Sequence, residues 1–334
     1  MKQKRTNLAR EIVKRPDIID LLKSDLPLER IFELPSPLLV NRVNLYKKLY
    51  FGVGKTDCYR VVLPNDNYLF IKMEYLNSMG NTHYSRFWII YLYLCELLGV
   101  IVPGNTNIIE VTSGSSGIAL ATACNLLNYS VTIILPENLP ENRVAPMRKE
   151  NIEIIKVKGY IKECVDTLRD ILKNKDHFFA TNHSEEKAGV IIDVFKRIAC
   201  EIVTRVDGID YAILAIGNGS TTYAIGKTLK ENYPNIHIQG YQPNFLTKPD
   251  DYIFGLTIPN LEFRHLKEAI CYLDEIRFTT NIDIGKTKDI FRYDTEIHNF
   301  GDTSLYAVHF SLELAKKVRN KNILTIGYDK LDRY

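Results

Sequence analysis

From residue 67 onward the chain alternates short apolar runs with amphipathic stretches. NYLFIKME (67–74), NIIEV (107–111), SVTIILP (130–136), IEIIKV (152–157), YAILAIG (211–217) and IHIQGYQP (236–243) have the length and β-branched content of buried strands. Between them, YSRFWIIYLYLCELLG (84–99), SGIALATACNLLN (116–128), PENRVAPMRKEN (140–151), IKECVDTLRDILKNK (161–175) and TTYAIGKTLKEN (221–232) predict helices, the first closed by Gly99. Repeated strand–helix units of this length imply right-handed crossovers between parallel strands, hence an α/β protein with mostly parallel sheets flanked by helices. Residues 1–35 predict amphipathic helix broken at Pro16, Pro27 and Pro35. The segment 244–300 is less regular, and its turn-rich start, NFLTKPDDYIFGLTIPNLEF, predicts a long surface connection near a site. A boundary between lobes falls near residue 185.

Composition narrows the class of partner. The 334 residues are 46% hydrophobic and 25% charged, with a formal charge of +3, as expected of an ordinary soluble fold. The densest basic run, KQKRTNLAR (2–10), soon meets Glu11 and Asp17. That scatter argues against a nucleic-acid or membrane-surface partner. FWIIYLYLCELLGVIV (87–102) is interrupted by Glu96 and is too short to span a bilayer, so it predicts a buried helix. The six cysteines (58, 95, 124, 164, 200 and 271) form no C-x-x-C pair and several sit in apolar stretches. They predict reduced thiols in a cytoplasmic protein, with no metal site. The N-terminus also lacks the apolar stretch of a secretory signal.

Two turns rich in glycine and hydroxyls carry candidate chemistry, each between a strand and a helix. In EVTSGSSGIALATA (110–123), Thr112, Ser113, Gly114, Ser115, Ser116 and Gly117 gather hydroxyls and N–H groups at a positive helix end. That composition suits a carboxylate or phosphate, although one or two of the serines would suffice for a simple cap. In AILAIGNGSTTYAIGKTLKE (212–231), Gly217, Asn218, Gly219, Ser220 and Thr221 predict either a compact anion cradle or a plain tight turn. The segment lacks the G-K-[ST] ending of a P-loop and the third glycine of a dinucleotide fingerprint.

The two turns, in this order, resemble those of the cysteine synthase and cystathionine β-synthase family. These are pyridoxal-phosphate enzymes of fold type II, the tryptophan-synthase-β-like fold. Further motifs extend the resemblance over most of the chain. SPLLVNRVNLYKKLY (36–50) is similar to the family's opening segment, FIKMEYLN (70–77) to its K-x-E-x-x-N strand end, and IFGLTIP (253–259) to its G-I-G-x-x-x-x-P turn. GDTSLYAVHFSLELAKK (301–317) and YDKLDRY (328–334) resemble the last helix region and the D-S-G-E-R-Y terminus. The resemblance implies a smaller lobe over 51–189 that binds the substrate carboxylate. It implies a larger lobe over 1–50 and 190–334 that holds the cofactor phosphate. Gly217, Asn218, Gly219, Ser220 and Thr221 would then hold pyridoxal 5′-phosphate, and Thr112, Ser113, Gly114 and Ser116 the α-carboxylate of a small amino acid. Thr303 would face the pyridine nitrogen, a contact that favours β-elimination and β-replacement on a serine derivative. A cytoplasmic homodimer completes the expectation.

Departures fall at the centre of the implied site. In LNSMGNTHYSRFW (76–88), His83 stands where the family's loop carries the lysine that forms the Schiff base. Lys72 matches a structural lysine, in phase with Glu74, and Ser115 replaces the asparagine that contacts the pyridoxal 3′-oxygen. An imidazole cannot form an imine but can move protons near neutral pH. The expectation is therefore a lyase or transferase with catalytic His83 and non-covalent pyridoxal phosphate. The alternative is an inactive family member serving as a ligand-sensing or partner-binding module. His183 lies near the family's polar substrate-contact segment, the aromatic side chains of 84–94 read as core, and Glu141, Arg143, Arg148 and Lys149 read as a solvated helix face.

Overall fold

The structure is a computed structural model and describes residues 7–174, 178–248, 253, 255–256, 262–330 and 332. The connection expected at 244–263, the 253–259 turn and the closing 328–334 motif lie partly outside these. The N-terminal amphipathic stretch folds as α1 (Leu8–Ile12) and α2 (Pro16–Lys23), followed by α3 (Val40–Phe51). A hairpin of β1 (Cys58–Leu63) and β2 (Asn67–Lys72) comes next. Its turn is made by Asn65 and Asp66 at φ of 61° and 58°, a region that short polar side chains tolerate. Then α4 (Tyr84–Leu97), β3 (Asn107–Val111), α5 (Ser115–Leu127), β4 (Ser130–Pro136), α6 (Glu141–Val144), β5 (Ile152–Val157), α7 (Ile161–Asn174) and β6 (Phe178–Ala180) follow in order. The rest comprises α8 (Val190–Val203), β7 (Tyr211–Ala215), α9 (Ser220–Asn232), β8 (His237–Gln242), α10 (Leu266–Ile270) and β9 (Glu275–Phe278). The short α11 (Ile284–Ile290) and α12 (Thr295–His298) lead into α13 (Asp302–Ala315) and β10 (Asn322–Ile326).

Two sheets organise these elements. One has the order β5-β4-β3-β6 and is wholly parallel; the other has the order β1-β2-β10-β7-β8-β9 and is parallel except for the β1–β2 hairpin. The α/β architecture expected from the pattern is therefore present. Strands β1 and β2 lie within 51–189, yet β2 pairs with β10 in the larger sheet. Division by sheets thus runs through that segment.

Helix α4 explains its own apolar sequence. Residues 85–97 are all buried, because the helix packs among α3, α5 and α8. Glu96 is satisfied there by Arg42 at 2.6 Å and by the hydroxyls of Tyr46 and Tyr129 at 2.8 and 2.7 Å. Among the described residues no helix is long and apolar enough to cross a membrane. The helix expected over 140–151 is shorter than its pattern. It ends at Val144, and Ala145–Met147 tighten into a 3-10 turn, since Pro146 brings no backbone N–H to continue the ladder.

Candidate functional site

The two hydroxyl-rich turns open on one cavity of about 450 Å³, within the range of small-molecule sites. On the larger sheet, β7 ends at Ala215 and the chain turns through Gly217–Gly219 into α9. A Cβ on Gly217 would lie 2.7 Å from the Gly255 carbonyl oxygen. One on Gly219, whose φ is +90°, would lie 2.6 Å from the backbone of His265. Only glycine closes this turn. Asn218 Oδ1 accepts the Ser220 N–H at 3.0 Å, and Thr222 Oγ1 donates to the Ala215 carbonyl at 2.7 Å. Gly217, Asn218, Gly219 and Thr221 line the cavity. Ser220 does not: its fully buried Oγ at the start of α9 has no hydrogen-bond partner.

On the four-stranded sheet, β3 runs into the second turn and α5. Thr112 Oγ1 accepts N–H groups from Gly114 and Gly117 at 3.2 and 3.0 Å, fixing the turn from inside. Thr112, Ser113, Ser115 and Ser116 line the cavity, whereas Gly114 is not among its lining residues. Ser116 Oγ accepts the Trp88 indole N–H at 3.1 Å, so one hydroxyl expected to face a ligand is already engaged. Thr303 also lines the cavity, its Oγ1 3.6 Å from where a Cβ on Gly255 would stand.

His83 lies at the N-terminal edge of α4, 8% exposed, and lines the same cavity. Its ring packs against Tyr84, Phe195 and Tyr328 at centroid distances of 4.4, 5.6 and 5.3 Å. Nδ1 is buried without a hydrogen-bond partner. Desolvation, helped by nearby His183, pushes its pKa down to about 3. Burial also raises the phenols of Tyr84 and Tyr328 well above their usual range. Among the described residues lining the cavity there is no lysine. Lys72 is fully buried elsewhere: its amine donates to the Thr56 carbonyl at 2.6 Å and to Glu201 at 2.7 Å.

Several lining residues lie beyond the expected set. Arg143 is a correction. Expected on a solvated face, it is 2% exposed, donates to the Ser113 carbonyl at 3.2 Å and sits 3.5 Å from Asp329. Its neighbours Glu141 and Arg148 do pair in solvent. Tyr84, expected in the core, is half-buried and faces the cavity. His183 lines the wall beside Glu110, with Nδ1 3.3 Å from Oε1. Pro146 two residues beyond α6 was the available signal for Arg143, because a helix of one turn cannot present a continuous solvated face.

These features define a two-sheet α/β protein whose cavity joins two turns rich in glycine and hydroxyls. Residues 50–254 match the family described as pyridoxal-phosphate dependent enzyme, and the chain belongs to that family. It is 29% identical over 191 residues to the cysteine synthase of Staphylococcus aureus strain Mu50, covering 55% of this chain and 59% of the relative. Against cysteine synthase B of Pseudomonas aeruginosa the identity is 29% over 300 residues, 84% of this chain and 93% of the relative. A hydrogen sulfide-producing enzyme from Fusobacterium nucleatum superposes with a TM-score of 0.74 at 24% identity, covering 86% of this chain and 98% of its own. Pyridoxal phosphate is the cofactor of this family, and the residues present fit it. Gly217 and Gly219 present bare backbone to the cavity, because neighbouring backbone leaves no space for a side chain at either position. The orphaned Nδ1 of His83, which lines the cavity, is a polar atom buried without compensation, which argues for a polar occupant.

Proposed function

We propose that this chain holds pyridoxal phosphate without a lysine tether and acts on a small amino acid. The reaction is loss of a β-substituent from a serine derivative, with or without its replacement by a nucleophile. One observation carries the reading: both turns line one cavity in which His83, and no lysine among the described lining residues, faces the ligand space. Gly217, Asn218, Gly219 and Thr221 would take the phosphate with the N-terminus of α9 behind them, and Ser220 would support the turn. Ser113 and the N–H groups opening α5 would take the carboxylate, with Thr112, Gly114 and Ser116 shaping the turn, and Ser115 would face the cofactor's ring oxygen. Thr303 would face the ring nitrogen. When bound, the cofactor supplies a ring that withdraws charge from the amino acid's α-carbon. A cytoplasmic homodimer accompanies this reading. A second reading, a ligand-sensing family member without turnover, draws support from the desolvated His83. An imidazole so resistant to protonation is a weak base.

Titration with pyridoxal phosphate followed by borohydride reduction and mass spectrometry tests the tether. Saturable absorbance with no mass added to the reduced, dialysed chain is the expected result; a reduced pyridoxyl group on any side chain would overturn it. Release of acetate or phosphate from O-acetylserine or O-phosphoserine then separates enzyme from sensor. His83→Lys should gain a borohydride-stable adduct if the rest of the pocket is intact.

A further inference from the structure

We infer that Glu110 and His183 form the proton-accepting pair of this site: His183 Nε2 takes the α-proton of the bound amino acid while Glu110 steadies the ring from Nδ1. The inference rests on the reading above that an amino acid occupies the cavity. Its footing is the way the two side chains are held. Glu110, 2% exposed at the end of β3, is fixed on both oxygens. Oε1 accepts the Val111 N–H at 2.8 Å, and Oε2 accepts the His183 N–H at 3.2 Å and the Thr181 hydroxyl. Asn182, at φ 46°, turns the chain after β6. His183 Nδ1 then lies 3.3 Å from Glu110 Oε1, within ion-pair distance although the two are not aligned as a hydrogen bond, and its ring meets Tyr84 and Trp88 edge-on at 5.3 and 5.7 Å.

The other ring nitrogen looks the opposite way. Nε2 is 3.5 Å from Ser184 Oγ, which accepts Asn218 Nδ2 at 3.3 Å; Ser184 and Asn218 both line the cavity, and Asn218 belongs to the phosphate-type turn. A proton acceptor on the cavity side, backed by a fixed carboxylate, is the arrangement that stabilises an imidazolium as it forms. His83 has rings for neighbours and, among the described residues, no ion pair with a carboxylate to share such a charge. In the step itself the α C–H bond breaks, its proton passes to His183 Nε2, and its electron pair stays on the carbon. The chain keeps the two histidines for different work: His83 closes the cavity where an amine would stand, and His183 moves the proton.

The test follows washout of the α-proton of L-alanine, which has no leaving group, by proton NMR in deuterium oxide with pyridoxal phosphate present. His183→Gln should slow washout by about 100-fold or more, the usual weight of a general base. His83→Gln should change it less than about tenfold, and absorbance titration should show the cofactor bound in both. A second readout uses the protein alone. Long-range nitrogen–proton spectra should show His183 carrying its proton on Nδ1, and Glu110→Gln should shift that preference toward Nε2. Washout that survives His183→Gln, disappears with His83→Gln, or is absent from loaded wild type overturns the pair. If no cofactor binds, the preceding reading fails by itself; the spectra still decide the pair, and a wild-type proton on Nε2 sinks it.

Discussion

His83 is a neutral side chain by virtue of where it is buried, and that has a measurable cost in acid. Its pKa of about 3 lies below the ordinary 6.5, so the unfolded chain takes up the proton first as pH falls. The stability tied to this group is fully present above about pH 6.5 and is lost progressively from there toward pH 3. At pH 5 the loss is about 1.5 pKa units, or about 2 kcal/mol. Urea denaturation at pH 7.5 and pH 5 should show the difference in unfolding free energy shrinking by about 2 kcal/mol in His83→Gln. His265 and His309, whose pKa values burial also lowers, act in the same direction in both proteins and cancel. An unchanged difference would mean that the ring is solvated. At this scale the two turns were legible, because glycine and hydroxyls clustered between a strand and a helix have few other uses. Arg143 and Glu110 were not. Whether a charge faces solvent or a cavity depends on residues far away in sequence, here Asp329 and His183.

Elements are tied to one another by a buried ionic knot at the end of β2. Lys72 reaches Glu201 on α8 and stands 3.3 Å from Glu74, and Glu201 also accepts Arg86 of α4 at 2.6 Å. Burial pushes the Glu201 carboxyl up, yet Arg86 and Lys72 outweigh it and hold it below its ordinary range. Lys72→Met removes a buried cation and leaves the buried Glu74 and the half-buried Glu201 short of compensation, an effect of about 3–5 kcal/mol. Chemical denaturation should register that loss; a change under about 1 kcal/mol would show the amine to be dispensable. Helices α4 and α5 match the sequence reading closely. The fourteen-residue α8 and strands β1 and β10 are not read from the pattern, and the three-residue β6 and four-residue β9 also escape it, since such short runs carry no periodicity. The 140–151 pattern overran because Pro146 outweighed the spacing of apolar residues.

For the whole molecule, a parallel α/β design could be read from alternation alone, but sheet membership could not. Tyr68 pairs with Asn322 and Ile323 with both Leu69 and Tyr211, and no local pattern encodes partners so distant. The family motifs supplied the overall plan, while the assignment of the β1–β2 hairpin needed the coordinates.

The cavity's two grips come from different sheets, Ser113 and Ser115 from one and Asn218 and Thr221 from the other. Any small molecule holding both is consequently a rivet between halves of the protein. Pyridoxal phosphate with an amino acid at about 100 times their dissociation constants should add about 2.7 kcal/mol. Scanning calorimetry should record a higher and sharper melting peak than either compound gives alone, because neither alone fastens both plates.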